Sequence, residues 1–590
     1  MALVAQQRKA VTASIPSPIG GWNARDSLGA MAATDAVQMV NWYPTPSDIL
    51  LRRGYTQHST GITGTVESLM NYAAPTSQSL FAIANGVIYN STSSGAATSV
   101  FTGLTNSKFQ HVNISTAGGS FLVACNGADP TMVYDGTRWF KIATTSTAQT
   151  ISTITRGGTG NLTATLTTAS AHGLITGNRV TITGADPTQF NGTYVITVTG
   201  STTFTYTMAS APSGDATTMG AYTVVGITGV HSNTFINVNL FKNRLYFTEK
   251  DTMKVWYLDV DAIGGAASPL DFASIARMGG YLQAMGTWTI DAGEGVDDYA
   301  VFVTNMGEII VYNGTDPDDA TKWLLKGVWQ VGQTFARRCF FKWSGDLLLL
   351  TQDGLLPLAS ALQSSRLDPR VALTDKIYYA VSLAADSYST NFGWQINYYA
   401  KQNMLILNIP VTEGSEQYVM HTITKSWARF TNINADCWEI HNDDMYFGGS
   451  GYVGQFWNAD ADNGNNINAT VQQAYNYFDS RGTQKRYTLV RPIIQTIGGF
   501  PSILCGVNVD FEEGNATGTI SFNPSANGNA IWGTSTWDNA IWGGATVINK
   551  NWQGVTGIGY CASLQLTAAS QGITVRWAST DFVLETGGVI

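Results

Sequence analysis

Short runs in which apolar and polar residues alternate, each ended by a turn-forming residue, follow one another along most of the chain. Residues 79–90, 120–142 and 299–317 each contain two such runs separated by Asn or Gly. Two alternating runs joined by a tight turn predict a β-hairpin. The same form recurs at 243–259, 345–359, 403–430 and 443–457. The pattern therefore predicts an all-β chain.

The hairpins return at intervals of roughly 40–60 residues, which is typical of the blades of a β-propeller. We therefore expect a propeller-like core of about six blades, formed by residues 76–147 and 229–460. Because the period is loose, a stacked array of β-sandwiches is the alternative.

Residues 148–228 interrupt this rhythm with a run rich in Thr and Gly. Thr alternates with apolar residues over several predicted strands, and Asn191-Gly192 supplies a turn, so we expect an inserted small β-barrel. The stretch 172–194 resembles a small barrel module that occurs as an insert in phage virion proteins.

The two ends of the chain are predicted to be distinct regions. Residues 1–75 form a lead-in segment with one short helix at 34–40, because Thr34 provides a capping hydroxyl and Asp35 follows it. Residues 461–590 form a C-terminal β-sandwich-like domain, which a polar linker at 460–470 introduces.

An aromatic series marks the C-terminal domain. Phe522, Trp532, Trp542 and Trp552 are ten residues apart, and NAIWG occurs at both 529–533 and 539–543. Aromatic residues at equal spacing can form a ladder across paired strands. A core or intersubunit ladder is the favoured interpretation, and a carbohydrate-binding surface is the alternative.

The composition favours an oligomer and argues against a basic DNA-gripping face. Charged residues make up 12% of the chain, about half of the usual ~25%, so neighbouring subunits are expected to cover part of the surface. The net charge is -9, whereas proteins that grip nucleic acid cluster Lys and Arg against phosphates. The basic positions that do cluster are interpreted as solvated strand ends or an intersubunit ion-pair strip: Arg481, Lys485, Arg486 and Arg491.

The cysteines predict neither a disulfide framework nor a zinc site. The five of them, at 125, 339, 437, 505 and 561, are widely spaced and include no CxxC pair. The first residues lack the apolar stretch of a secretory signal. We therefore expect assembly in a cytoplasm.

Two carboxylate clusters could in principle hydrolyse glycosides, since paired carboxylates do so when held about 5–10 Å apart in a cleft. Because both lie in turns, solvated carboxylates are the favoured interpretation. The clusters are Asp291, Glu294, Asp297 and Asp298, and Asp316, Asp318 and Asp319.

The densest polar cluster is Glu439, His441, Asp443 and Asp444. On a strand, Glu439, His441 and Asp443 would share a face and could bind a cation, but a strand end that turns into a polar loop is the favoured interpretation. The sequence contains neither GxSxG nor the phosphate-binding GxxxxGK[ST]. We predict that the protein is not an enzyme, with no catalytic residues, no metal and no cofactor.

The lead-in segment resembles the start of the tail nozzle, or packaged-DNA stabilisation, proteins of short-tailed bacteriophages. The likeness spans residues 16–61 and consists of a Gly-Gly-Xaa-Asn-Xaa-Arg-Asp element, an Asn-Trp pair followed by Pro, and an Arg-Xaa-Gly-Tyr strand. The matching positions, here called the signature residues, are Gly20, Gly21, Asn23, Arg25, Asp26, Asn41, Trp42, Pro44, Gly54 and Tyr55, with Arg52 and Arg53 beside the last two. The inserted barrel and the NAIWG series are not features of that family.

This resemblance implies a structural virion protein, a hexameric ring below the head–tail adaptor. Its channel would retain packaged double-stranded DNA and conduct it during ejection without specific binding. The other implied partners are tail fibres or spikes and, at the distal end, the host surface. An acidic, charge-poor channel fits this role because it does not trap phosphates.

Two alternatives remain at this stage. One is a receptor-binding, adhesin-like tail protein that uses Trp532, Trp542 and Trp552 on host glycans. The other is a propeller glycoside hydrolase.

Overall fold

The structure is a computed structural model that describes residues 10–143, 148–291, 296–343, 345–361, 369–512, 514, 516–520 and 546–587. It divides into two compact units. Unit 1 comprises Met1–His58, Gln352–Leu356 and Asp368–Ile590, and unit 2 comprises Ser59–Thr351 and Pro357–Leu367. The prediction of an all-β chain is confirmed.

The lead-in segment is built of strands. They are β1 (Ala10–Pro16), β2 (Gly21–Trp22), β3 (Asp35–Val40), β4 (Trp42–Pro44), β5 (Ile49–Leu51) and β6 (Gly54–Thr60). The helix predicted at 34–40 is wrong, because β3 pairs with residues 470–473 and buries Ala36 and Met39 in the core. Distant strand pairing overrides the local capping signal of Thr34.

Unit 2 begins with two four-stranded antiparallel sheets, the first formed by β7, β8, β9 and β11 and the second by β12–β15. The rings of Phe81 and Trp139, one from each sheet, meet edge-to-face with 5.1 Å between centroids. The strands are β7 (Val66–Ala74), β8 (Ser77–Ala84), β9 (Val87–Asn90), β10 (Gly95–Ala96), β11 (Thr98–Phe101), β12 (Gln110–Thr116), β13 (Gly119–Cys125), β14 (Met132–Tyr134) and β15 (Trp139–Lys141).

The Thr-rich insert is one seven-stranded sheet with a core of its own. Its two edge strands, β19 and β20, are consecutive in the chain and separated by Ile196 alone, so the sheet curves back on itself. Its strands are β16 (Gln149–Gly157), β17 (Thr163–Thr168), β18 (Arg179–Thr183), β19 (Gly192–Val195), β20 (Thr197–Val198), β21 (Thr203–Thr207) and β22 (Ala221–Val224).

After the insert, unit 2 continues with two more four-stranded sheets, β24–β26 with β28 and β29–β32, and then the β33–β34 hairpin. The strands are β23 (Ile227–Thr228), β24 (Phe235–Phe241), β25 (Arg244–Glu249), β26 (Lys254–Tyr257), β27 (Gly265–Ala266), β28 (Ser268–Asp271), β29 (Leu282–Asp291), β30 (Val296–Thr304), β31 (Glu308–Gly314), β32 (Trp323–Gln330), β33 (Phe340–Trp343) and β34 (Asp346–Thr351). The next strand, β35 (Gly354–Pro357), begins in the Gln352–Leu356 segment of unit 1.

Consecutive sheets that pack face to face are the blades of a propeller, and the predicted propeller-like core is confirmed. Arg338, which precedes the β33–β34 hairpin, donates hydrogen bonds to Ser68 Oγ at 2.9 Å and to the Phe109 carbonyl at 3.1 Å. The end of the series therefore returns to the first sheets. Five successive sheets form this part of unit 2, where the sequence predicted about six blades.

Unit 1 joins the lead-in segment, the middle of the chain and its C-terminal strands. The remaining elements are α1 (Leu358–Ala361), which belongs to unit 2, and α2 (Tyr378–Tyr388), β36 (Gln395–Tyr399), β37 (Met404–Pro410), β38 (Ser415–His421), β39 (Ser426–Phe430), β40 (Cys437–His441), β41 (Asp444–Gly448), β42 (Val453–Ala459), β43 (Ile467–Gln473), β44 (Lys485–Ile497), β45 (Ser502–Val509), β46 (Gly518–Thr519), β47 (Thr546–Asn549), β48 (Gln553–Gly559), β49 (Ala562–Ser570) and β50 (Thr574–Thr586).

Two large sheets of unit 1 enclose one core that includes Trp42, Trp438 and Trp577. The first runs β36-β37-β38-β39-β3-β43-β49-β45-β46, and the second runs β4-β5-β50-β44-β47 with β1 beside β50. The strands of 461–587 are therefore sandwich-like but share sheets with the lead-in and with 369–430. This grouping differs from the predicted boundaries, which gave 229–460 to the propeller and 461–590 to a separate domain.

Candidate functional site

The first signature residues form a polar cluster around Asn23, whose side chain is buried. Its Nδ2 donates to Asp26 at 2.9 Å and to Asp35 at 2.8 Å. Its Oδ1 accepts the backbone N–H groups of Arg25 and Asp26 at 3.1 and 3.0 Å. One amide side chain therefore closes the turn and fixes it to β3.

Each charged group in this cluster has a partner of opposite charge. Arg25 pairs with Asp26 at 2.8 Å and also with Asp375, and Lys376 pairs with Asp35 at 2.6 Å. The hydrogen bond from Arg25 holds the pKa of Asp26 at about 2. All three carboxylates are engaged by basic side chains, so the cluster anchors the segment and is a poor general acid.

The glycine pair of the signature meets a steric demand. Gly21 has a φ of 79°, and a Cβ there would lie 2.6 Å from the Trp427 carbonyl oxygen. Beside it, the Gly20 carbonyl accepts a hydrogen bond from Lys376 Nζ at 2.7 Å. A side chain at Gly21 would push the segment away from β39.

The next signature residues form a second cluster around Asn41 and Arg52. Asn41 has a φ of 59°, and its Oδ1 accepts hydrogen bonds from Arg52 Nε at 2.8 Å and from the Thr431 backbone at 2.9 Å. Arg52 is fully buried and makes a bidentate pair with Asp462 at 2.7 and 2.6 Å. A desolvated pair of this kind needs every remaining donor to be bonded, and Asn41 supplies one of those partners.

The last signature residues continue this contact. Trp42 is fully buried in the core, and Pro44 lies opposite Ile49 in the β4–β5 hairpin. A Cβ on Gly54 would lie 2.0 Å from the Ala461 carbonyl oxygen. That same oxygen accepts a hydrogen bond from the Tyr55 backbone at 3.1 Å. The signature residues are therefore brought together with 375–376, 427–431 and 460–463, and each has a structural role in unit 1.

The carboxylates proposed for glycoside hydrolysis are engaged where the structure describes them. Asp298 bonds Lys242 Nζ at 2.6 Å and Thr289 at 2.8 Å. Burial raises the pKa of Asp298, but these hydrogen bonds outweigh it and the pKa is lowered. Glu294 lies outside the described residues, as do the side chains of Asp291 and Asp297.

The second carboxylate cluster is engaged in the same way. Asp316 approaches Arg244 at 3.5 Å, and Asp319 pairs with Lys322 at 2.9 Å. Asp318 accepts the Tyr257 hydroxyl at 2.5 Å. These contacts are two ion pairs and one hydrogen bond at a turn.

The acidic group around His441 is likewise occupied by protein partners. Asp444 bonds Lys401 at 2.6 Å and Gln455 at 3.1 Å, and His441 contacts Asn442 at 3.1 Å. In the part of the chain that the structure describes, no group of three His, Cys, Asp or Glu side chains could hold a metal ion. Within the same residues, no helix is long and apolar enough to cross a membrane.

The basic residues of the predicted cluster contact other residues of the same chain in different ways. Lys485 is buried and donates to three backbone carbonyls at 2.5, 2.9 and 3.0 Å. Arg491 pairs with Asp581 at 2.6 Å, and Arg481 stacks over Tyr477 at 4.6 Å. Arg491 is therefore neutralised by a carboxylate and Lys485 is buried, while Arg481 and Arg486 are exposed.

The aromatic ladder stays a prediction. Trp532 and Trp542 lie outside the described residues, as does Phe522. Trp552 is 39% exposed, and the Arg491 guanidinium lies 4.6 Å from its ring centroid.

Unit 1 also contains a groove that was not predicted from the sequence. It has a volume of 570 Å³ and is lined by Trp22 and Arg429 together with Gln38, Gln472 and Gln565. The glutamines lie on three different strands that are far apart in the sequence, so no local motif could have indicated them.

Comparison with known proteins leaves the family open. No family model matches the chain, and no curated protein matches it. Among solved structures it is similar to YCF48 from Cyanidioschyzon merolae, at 10% identity over 70% of this chain and 97% of that chain, with a TM-score of 0.22. It is also similar to Raptor from Chaetomium thermophilum, at 7% identity over 69% of this chain and 29% of that chain, with a TM-score of 0.31. Likenesses this weak carry no argument about function.

Proposed function

We propose that the protein is a structural component of a bacteriophage particle, the tail nozzle of a short-tailed phage. The observation that carries the proposal is the arrangement of the signature residues, which form two polar clusters of unit 1 or pack beside them. These residues make specific contacts that few other side chains could make. A resemblance at such positions is therefore stronger support for a shared fold than a resemblance at exposed positions.

The charge distribution supports the same role. Arg491 of the predicted basic cluster is paired with Asp581, Lys485 is buried against backbone carbonyls, and the net charge is -9. A ring of such subunits would let DNA slide through without repeated electrostatic trapping. The adhesin alternative depends on the aromatic ladder, of which Trp552 is described.

The test is the assembly state of the purified full-length chain, measured by negative-stain imaging together with light scattering. A hexameric ring with a central hole is expected. A monomer or trimer under conditions in which the chain is folded would overturn the proposal.

A second measurement addresses the channel. We expect the assembled ring to bind a short double-stranded DNA fragment no more tightly than about 10⁻⁴ M at physiological salt, the weak limit of non-specific DNA binding. Sub-micromolar binding that weakens steeply with salt would contradict a channel through which DNA slides.

A further inference from the structure

Three glutamine side chains form a row across one face of unit 1. Gln38 on β3 lies opposite Gln472 on β43, and Gln472 lies opposite Gln565 on β49. Cross-strand partners point to the same face, with successive positions about 5 Å apart. These residues, here called the Gln row, line the 570 Å³ groove with Trp22 and Arg429.

The Gln row lies on the face opposite the core. On β43 the neighbouring Val471 is fully buried, and on β49 Leu564 and Leu566 on either side of Gln565 are too. On β45 the position opposite Gln565 is Gly506, which has no side chain to fill that end of the row. The groove is therefore a concavity on the sheet surface, within the usual ligand-pocket range of about 300–1,000 Å³.

Part of this amide surface has unused hydrogen-bonding capacity. Gln565 Oε1 is buried and accepts no hydrogen bond from the described residues. Gln472 is 4% exposed, and its Nε2 donates to Tyr475 at 3.3 Å. Buried polar atoms are nearly always paired with protein, water or ligand, so Gln565 Oε1 is an acceptor that a hydroxyl group of a bound molecule could use.

The chemistry of the lining selects the class of ligand. Each glutamine offers two N–H donors and a carbonyl acceptor, the combination that hydroxyl groups match. Trp22 adds an aromatic ring, whose apolar face can pack against the C–H face of a sugar. Arg429 is already held by Glu416, with Nε donating at 2.8 Å. This carboxylate neutralises the guanidinium charge, which disfavours a phosphate or sulfate as the ligand.

The sheet architecture argues against a peptide strand. Strand addition requires an exposed edge with unpaired backbone groups. Where the Gln row crosses them, β43 lies between β3 and β49, and β49 lies between β43 and β45. A ligand at this position meets side chains.

We propose that this groove binds a neutral oligosaccharide through the Gln row and Trp22. A second hollow of 680 Å³ shares Trp22 and Arg429 with it, which gives room for a chain of several sugar units. This site does not depend on the nozzle assignment, and it is distinct from the aromatic ladder.

The test is binding of the full-length chain to an array of neutral and anionic bacterial oligosaccharides, followed by titration calorimetry with the strongest neutral binder. We expect binding to at least one neutral oligosaccharide. Gln38→Ala and Gln565→Leu should each weaken it by tenfold or more. Matched controls are Gln78→Ala, an exposed strand glutamine of unit 2, and Gln495→Leu on β44; both should bind as the unchanged protein does.

Folding is checked by thermal unfolding of each variant, and Gln38→Ala is the decisive one because Gln38 is exposed. Absence of binding to every neutral oligosaccharide at millimolar concentration would overturn the proposal. So would binding that Trp552→Ala abolishes and Gln38→Ala leaves intact, since the ladder would then be the site. Self-association that Gln38→Ala disrupts, without oligosaccharide binding, would make the groove a protein contact instead.

Discussion

Arg52 and Asp462 form a bidentate ion pair in the interior of unit 1, although 410 positions separate them in the chain. The side chain of Arg52 is 0% exposed and that of Asp462 is 7% exposed. The adjacent Arg53 makes a similar pair with Asp460 at 2.9 Å, but its side chain is 39% exposed. Two consecutive arginines therefore tie the lead-in segment to the same loop, one in the interior and one at the surface.

Breaking the buried pair should be costly. Arg52→Met leaves the Asp462 carboxylate desolvated without a counter-ion, so the free energy of unfolding should fall by about 3–5 kcal/mol. Arg53→Met is the matched control and should cost no more than about 1 kcal/mol, because exposed pairs contribute little. Urea unfolding of both variants measures the difference.

The double variant Arg52→Met/Asp462→Leu separates charge burial from packing. Since an apolar pair of similar volume removes the uncompensated charge, it should regain most of the lost stability. Equal costs for Arg52→Met and Arg53→Met would show that the interior pair has no special role.

Gly54 should tolerate no side chain. Its Cβ would lie 2.0 Å from the Ala461 carbonyl oxygen, whereas a Cβ at Gly482 would meet nothing within 4 Å. Gly54→Ala should therefore lower the free energy of unfolding by about 1–3 kcal/mol, the usual range for overpacking. Gly482→Ala should change it by no more than about 0.5 kcal/mol. Thermal unfolding of the two variants under identical conditions decides the point, and equal midpoints would contradict the close approach.

Local patterns predicted the hairpins because their strands and turns are adjacent in sequence. Residues 79–90 and 299–317 fold as expected into β8–β9 and β30–β31. The helix prediction for 34–40 was wrong because the conformation of this segment depends on pairing with residues 470–473, which no local rule includes. Strand formation overrides a capping residue when both neighbours of the segment are strands.

The contacts of the candidate site also could not be predicted from local sequence patterns. The signature residues could be recognised by resemblance, but their partners Asp375, Lys376, Thr431 and Asp462 come from distant segments. The Gln row depends on the register of strands far apart in the chain. Pairing register is fixed by which face is buried, and the sequence of any one of these strands does not specify its neighbour.

Mild acid should destabilise the protein through its histidines. Burial lowers the pKa of His421, and it lowers that of His111, near Arg338, to about 4. In the unfolded chain both histidines have a pKa of ~6.5. At a pH between the folded pKa and ~6.5, the unfolded state therefore binds more protons than the folded state. The associated stability is fully present above pH ~6.5 and is lost as the pH falls towards 4.

His421→Asn tests this assignment. The Asn oxygen can replace His421 Nδ1, which accepts the Thr424 backbone N–H at 3.3 Å, but it does not titrate. The urea midpoint of the unchanged protein should fall between pH 7 and 5, and the fall should be smaller in the variant. Identical slopes would assign the effect to other groups. Asp26 does not affect this range. Its pKa is about 2, so its contribution to the free energy of unfolding is lost only below pH ~4.

The Thr-rich insert should fold as an autonomous module. Its core is formed mainly by its own residues, including Leu166, Val180, Phe190 and Phe204. The flanking chain meets at its base, where the Ala143 N–H donates to the Val225 carbonyl at 3.0 Å and the Ile227 N–H donates to that of Ala143 at 2.8 Å. Because the two ends are neighbours, a Gly-Ser linker of about eight residues can replace 148–223 without straining unit 2.

We expect the isolated fragment 148–226 to unfold cooperatively and the deletion variant to keep its remaining strands. The insert does touch the rest of unit 2, since Arg179 pairs with Asp135 at 2.8 Å and Asn178 Nδ2 donates to the Lys141 carbonyl at 2.9 Å. Losing these contacts should cost the deletion variant about 1–3 kcal/mol. Asp135→Asn in the full chain is the matched control for the ion pair. A fragment that gives no cooperative transition would show that the insert depends on the propeller-like sheets to fold.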